Sequence, residues 1–122
     1  MERVRRIDSE TRMGLADPPL MISLTAASPT YQMKPSDTVV IVDTTSAGGD
    51  GVAKITLPSL AESVGKFYYI KAPVGATGGD LSVLDKESAT EITTYGDMDA
   101  DGDDAIFFST GLAWITVYDG VA

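Results

Sequence analysis

The densest run of side chains able to do chemistry is Asp97-Met98-Asp99-Ala100-Asp101-Gly102-Asp103-Asp104. Asp97, Asp99, Asp101 and Gly102 match the first half of an EF-hand calcium loop, where alternate carboxylates supply oxygens and a glycine allows the sharp turn. The match then fails, because the twelfth position is Phe108 and a bidentate Glu is needed there. No helical pattern flanks the segment. It reads as a solvated acidic turn, with a weak calcium site at Asp97, Asp99 and Asp101 as the alternative. Carboxylates this close raise one another's pKa unless a cation or water separates them.

Other chemistries find less to work with. The chain has neither Cys nor His. That removes thiolate metal ligands, disulfides, the commonest general base and the commonest transition-metal ligand. Serines and threonines are plentiful, but no imidazole can activate them. A glycosidase needs two carboxylates across a cleft, and these acids concentrate in turns. The stretch Gly49-Asp50-Gly51-Val52-Ala53-Lys54 lacks the last glycine of a dinucleotide fingerprint and the Gly-Lys-Ser/Thr of a P-loop. It also leads into a strand, so no helix N-terminus waits to hold an anion. The expectation is a protein that is not an enzyme and takes no cofactor.

Charge narrows the partners. The net charge is −9. Arg3, Arg5, Arg6 and Arg12 are balanced by Glu2, Asp8, Glu10 and Asp17, so the rest of the chain carries the whole excess. An acidic body disfavours the phosphate backbone of nucleic acid. The alternating signs of the first twenty residues suit salt bridges to a mixed-charge protein surface better than RNA or DNA. No apolar run approaches a membrane span. Nothing near the N-terminus resembles the apolar core of a signal peptide, and synthesis in the cytoplasm is the expectation.

These residues must be positioned by strands. The clearest unit runs from Val52 to Lys71. Ala53, Ile55 and Leu57 alternate with Lys54 and Thr56, the period of a half-buried strand. Pro58 ends that strand. Ser59 to Val64 leaves room for a single helical turn, with Ser59 as N-cap and Glu62 three residues on. Gly65 suits the position just past it, and Phe67 to Lys71 is aromatic, β-branched and extended.

Further strands are expected at Met21–Thr25, Tyr31–Lys34, Thr38–Val42, Leu81–Leu84 and Thr90–Thr94. Ala105–Thr110 and Leu112–Tyr118 form a hairpin candidate around Gly111. Asp43–Gly51 and Pro73–Gly79 read as loops. Segments recur every eight to fourteen residues. That spacing predicts an all-β fold, a single antiparallel sandwich or barrel of about seven to nine short strands. It carries one short helical turn and an extended N-terminal arm.

The chain divides into the arm, 1–20, and one domain, 21–122. Val39, Ile41, Ile55, Leu57, Ile70, Phe108 and Trp114 are the expected core. Val39–Val42, Phe67–Ile70, Ile106–Phe108 and Trp114–Val117 are apolar at nearly every position, unlike a sheet with one wet face. Their second face is covered either by the turn, loops and arm, or by a neighbouring subunit. The arm itself either folds back on its domain or lies on a neighbour.

A family resemblance rests on four runs. These are Asp37-Thr38-Val39-Val40-Ile41-Val42-Asp43, Ile55-Thr56-Leu57-Pro58, Gly65-Lys66-Phe67-Tyr68-Tyr69-Ile70-Lys71 and Ala105-Ile106-Phe107-Phe108-Ser109-Thr110-Gly111-Leu112-Ala113-Trp114. Over Tyr31 to Tyr118 the chain resembles the small β-domains of tailed-bacteriophage structural proteins: capsid decoration (cement) proteins, head fibres and tail fibres. The resemblance implies a homotrimeric virion protein with no catalytic residue. A single domain plus an arm suits a decoration protein on the outer capsid surface. It would stabilise contacts between major capsid subunits, with Arg3, Arg5, Arg6 and Arg12 as the arm's contact residues. The alternative is a fibre module that binds host glycans through Tyr68, Tyr95 or Tyr118.

Overall fold

Eight strands and one 3-10 turn make up the computed structural model, which describes residues 18–48, 52–74, 80–92, 98 and 102–121. The strands are β1 (Leu20–Thr25), β2 (Thr30–Gln32), β3 (Val39–Ser46), β4 (Ala53–Thr56), β5 (Phe67–Val74), β6 (Leu81–Leu84), β7 (Asp103–Ser109) and β8 (Trp114–Asp119). They form two sheets, one of five strands in the order β1-β3-β5-β7-β8 and one of three in the order β2-β4-β6. Neither sheet closes into a barrel.

The all-β expectation matches this architecture; the antiparallel one does not. β1, β3 and β5 run parallel, as do β2, β4 and β6. Among pairs of the described strands, β5–β7 and β7–β8 are antiparallel. From Leu20 to Leu84 the chain alternates between sheets. Each crossover that a parallel pair needs is made through a strand of the other sheet instead of a helix. Short spacing between strands looks the same whether the chain turns back beside itself or hops across the core, so spacing alone could not tell the two apart. The hairpin around Gly111 is the antiparallel part that spacing did locate. Gly111 has φ +94°, and a Cβ there would meet Val64 Cγ2 at 3.0 Å.

One core lies between the sheets. The larger sheet contributes Val40, Val42, Tyr68, Ile70, Ala105 and Phe107, and the smaller one Ala53, Ile55, Leu81 and Val83. Leu57, Met33 and Met98 close its ends, and all of these are fully or almost fully buried. Three expected core residues fall elsewhere. Val39 and Ile41 are only half-buried, while Val40 and Val42 between them are buried. Phe108 is half-buried and Phe107 is buried. Strand parity requires this: alternate side chains point to opposite faces, so only one set of an all-apolar run can reach the core. Ile55, Leu57 and Ile70 are fully buried. Trp114 is half-buried and packs edge-on against Tyr68, with ring centroids 5.7 Å apart.

Local boundaries shift for clear reasons. β3 runs through Asp43, Thr44, Thr45 and Ser46, and β5 through Pro73, where loops were expected. Thr44 is buried inside β3. The 3-10 turn covers Ala61–Ser63, with Leu60 instead of Ser59 at the N-cap position and no side-chain cap. The Glu87 carboxylate accepts from Leu60 N–H at 3.4 Å. Gly65 follows the turn with φ +78°. Leu20, placed in the arm by composition, opens β1. Of the strand expected at Thr90–Thr94, Glu91 makes a single bridge to Leu84, and residues 93–94 lie outside the described residues.

Ser109 ties the turn to the hairpin. Its buried Oγ donates to Leu60 C=O at 3.0 Å and accepts from Gly111 N–H at 3.1 Å. Ser109→Ala is expected to cost about 1 kcal/mol, because two partly buried groups lose a partner while Leu60 C=O keeps its bond from Ser63 N–H. Urea denaturation of the two proteins measures this.

Candidate functional site

The outward face of the five-stranded sheet is the most site-like surface among the described residues. Register builds it row by row. Phe67, Phe108 and Ile115 lie side by side across β5, β7 and β8. The next row is Val39, Tyr69, Ile106 and Tyr118 across β3, β5, β7 and β8. The third is Met21, Ile41, Lys71 and Asp104 across β1, β3, β5 and β7. Two of the three rows are wholly apolar or aromatic, and charge enters at the third. The Phe67 and Phe108 rings stand 4.7 Å apart, a spacing at which aromatic pairs attract. Met21 is 74% exposed, Phe67 56% and Ile115 47%. Val64, which lies against Gly111 of the hairpin turn, and Leu112 are exposed as well, Leu112 to 92%. A bulge between Ile106 and Phe107 in the β7–β8 pairing lets Val117 and Tyr118 both stay about half exposed.

A side-chain hydrogen bond links two strands across the face. Tyr69 donates its phenol to Asp104 Oδ2 at 2.7 Å. Burial, then the bond to the carboxylate, pushes the Tyr69 phenol up to about 12. Tyr31 is likewise pushed up to about 12, by burial and by its 2.7 Å bond to Asp37 Oδ2. The same Asp37 oxygen accepts from Lys34 N–H at 2.8 Å, so one carboxylate fixes both a turn and a strand. An unfolded tyrosine ionises near pH 10. A phenol whose folded pKa is raised contributes stability while protonated, and this is lost as pH rises from the unfolded towards the folded value. The melting temperature is therefore expected to fall between about pH 10 and pH 12. Asp104→Asn is expected to lower the Tyr69 phenol and to shrink that fall, as read by phenolate absorbance and thermal melts.

At the opposite end of the same face, Asp43 Oδ1 accepts from Thr45 N–H at 2.8 Å. Bonds from Thr45 and then Ser23 hold its carboxyl below the usual range.

The residues that the sequence singled out are not brought together here. Asp97, Asp99 and Asp101 lie outside the described residues, as do Arg3, Arg5, Arg6, Arg12 and Tyr95. Met98, between the acids, is fully buried and exchanges both backbone hydrogen bonds with Leu81 at 3.0 Å. Among the described residues no three Asp or Glu side chains converge to hold a metal ion. Nor is any described helix long and apolar enough to cross a membrane.

Tyr68 offers no glycan platform. It is fully buried, and its hydroxyl donates to Pro35 C=O at 2.8 Å and lies 3.1 Å from Ser63 Oγ. Burial raises its pKa. Tyr118 is half exposed on the outer face. Tyr69, Ile106 and Ile115 were not singled out by the sequence reading. Their signal was present in the doubly apolar runs, whose unexplained second face is this one.

A scan of family models, a search of characterised proteins and a search of solved structures each find no match to the chain.

Proposed function

We propose that this chain is a non-enzymatic structural protein of a bacteriophage virion. It is a capsid decoration protein that binds the outer shell as a homotrimer and stabilises contacts between major capsid subunits. Two things support the reading. One is the resemblance of Tyr31–Tyr118 to small virion β-domains. The other, which carries most weight for the homotrimer, is the aromatic outer face of the larger sheet. Phe67, Phe108, Ile115 and Tyr118 form a broad, charge-poor surface suited to flat protein contact, not to enclosing a small molecule.

The physical task is one of mass action. A protein that binds the assembled shell and not free subunits stabilises the shell by the free energy of that binding. Residues 1–17, with Arg3, Arg5, Arg6 and Arg12, supply an added contact to a mixed-charge capsid surface. Most of the acidic body faces solvent and keeps separate trimers apart.

Co-sedimentation with shells of the major capsid protein tests this role. The full chain is expected to pellet with shells. A chain beginning at Pro18 is expected to bind more weakly, with the difference shrinking as salt rises. Equal binding of the two would remove the arm from the account. Failure of the full chain to pellet would remove shell binding itself.

A further inference from the structure

We infer that the outer face of the five-stranded sheet is where copies of this chain associate with one another, centred on Phe67, Phe108, Ile115 and Tyr118. Charge points to the partner. The chain as a whole is −9, yet two rows of this face carry no charge. The third holds Lys71 directly opposite Asp104 across β5 and β7. A strongly basic partner would be matched by a cluster of acids, and an acidic one by a cluster of bases. Lys71, Asp104 and, at the far end, Asp43 form no cluster of either sign, and beside two apolar rows they match a surface of the same make-up, which is what a second copy presents. Contact through this face also brings together the part of an acidic protein where like-charge repulsion is least.

Strand order supports the same partner. β8 is an edge of the sheet, and its sequence Trp-Ile-Thr-Val-Tyr-Asp has neither the Lys nor the Pro that guard free edges. The same strand supplies Ile115, Val117 and Tyr118 to the exposed surface, so face and edge are continuous.

Area is adequate. Five strands spaced about 4.8 Å and about six residues long make a face of roughly 400 Å². That is about the size of the largest apolar patch on a typical monomer, roughly 300–600 Å², a patch that is often functional. Two such faces, with the hairpin tip and the β8 edge added, approach the roughly 1,000 Å² of a specific interface.

This deepens the oligomer part of the decoration reading and needs none of its capsid part. Shell binding is measured separately, so failure of one leaves the other standing.

The test is the mass of the full chain in solution by light scattering across a dilution series. The expected result is a closed multiple of the 12.8 kDa chain. It should fall to one chain in the double variant Phe67→Glu, Ile115→Glu, whose circular dichroism stays that of the parent. A parent that is monomeric at its highest soluble concentration overturns the inference, and so does a folded double variant that keeps the parental mass. If the double variant does not fold, hydrogen exchange on the unaltered chain decides. Amides of β8 are expected to gain protection as concentration rises, and protection independent of concentration overturns the inference.

Discussion

Phe107→Ala is expected to cost about 3–5 kcal/mol, whereas Phe108→Ala, one residue along, is expected to cost about 0.5–1.5 kcal/mol. The two side chains are chemically identical and adjacent in β7, so only direction separates them. Phe107 is fully buried between the sheets, beside Tyr68 in the register of β5 and β7. Removing it leaves a cavity that the surrounding strands can fill only in part. Phe108 stands on the outer face, and its main described partner is the Phe67 ring at 4.7 Å. Its loss opens no internal cavity. Urea denaturation at low protein concentration reads both. Equal costs would mean that β7 presents the other parity to the core.

The second large effect is at Tyr68, the largest fully buried side chain. Tyr68→Ala is expected to cost about 3–5 kcal/mol, since the fully buried ring packs edge-on against Trp114 and its removal leaves a cavity. Tyr68→Phe keeps the ring and isolates the hydroxyl. Its expected cost is about 1–3 kcal/mol, because Pro35 C=O and Ser63 Oγ lose a buried partner. The pair therefore separates packing from hydrogen bonding at one position. Calorimetric melts of the three proteins give the order native, Phe, Ala. A Phe variant as unstable as the Ala variant would place the weight on the hydroxyl instead of the ring.

Much of the local structure was legible in the sequence. Pro58 and Gly65 punctuate the passage from β4 through the 3-10 turn to β5, and a proline and a glycine act through their own backbones whatever surrounds them. Leu81–Leu84 was likewise bounded by turn residues. Strand pairing was not legible. Leu20 meets Val40 and Val40 meets Ile70, so successive returns to the larger sheet are twenty and thirty residues apart. Unequal returns leave no repeat for the eye to find, and a parallel crossover made of a strand looks like another hairpin. The parity of Val39–Val42 and Ile106–Phe108 was also beyond the sequence, because apolar residues at every position carry no alternation to read.

That same absence of alternation marked the candidate site. A strand apolar on both faces has two surfaces to cover, and the fold covers one. The outer rows through Phe67 and Tyr69 are what remains. The acidic run Asp97–Asp104, whose last two residues open β7 with Asp103 buried instead of solvated, looked more like a site in sequence, since its chemistry is written in adjacent residues. The outer face is assembled from five strands and becomes visible only through their register.

The most direct test of the decoration reading is the number of copies of this chain per purified virion, measured by quantitative mass spectrometry against the major capsid protein. The account predicts a number of the same order as the capsid protein, as expected for a protein that covers the shell. A handful of copies would place it at the tail or a unique vertex and contradict the decoration role. Absence from the particle would contradict a virion function altogether.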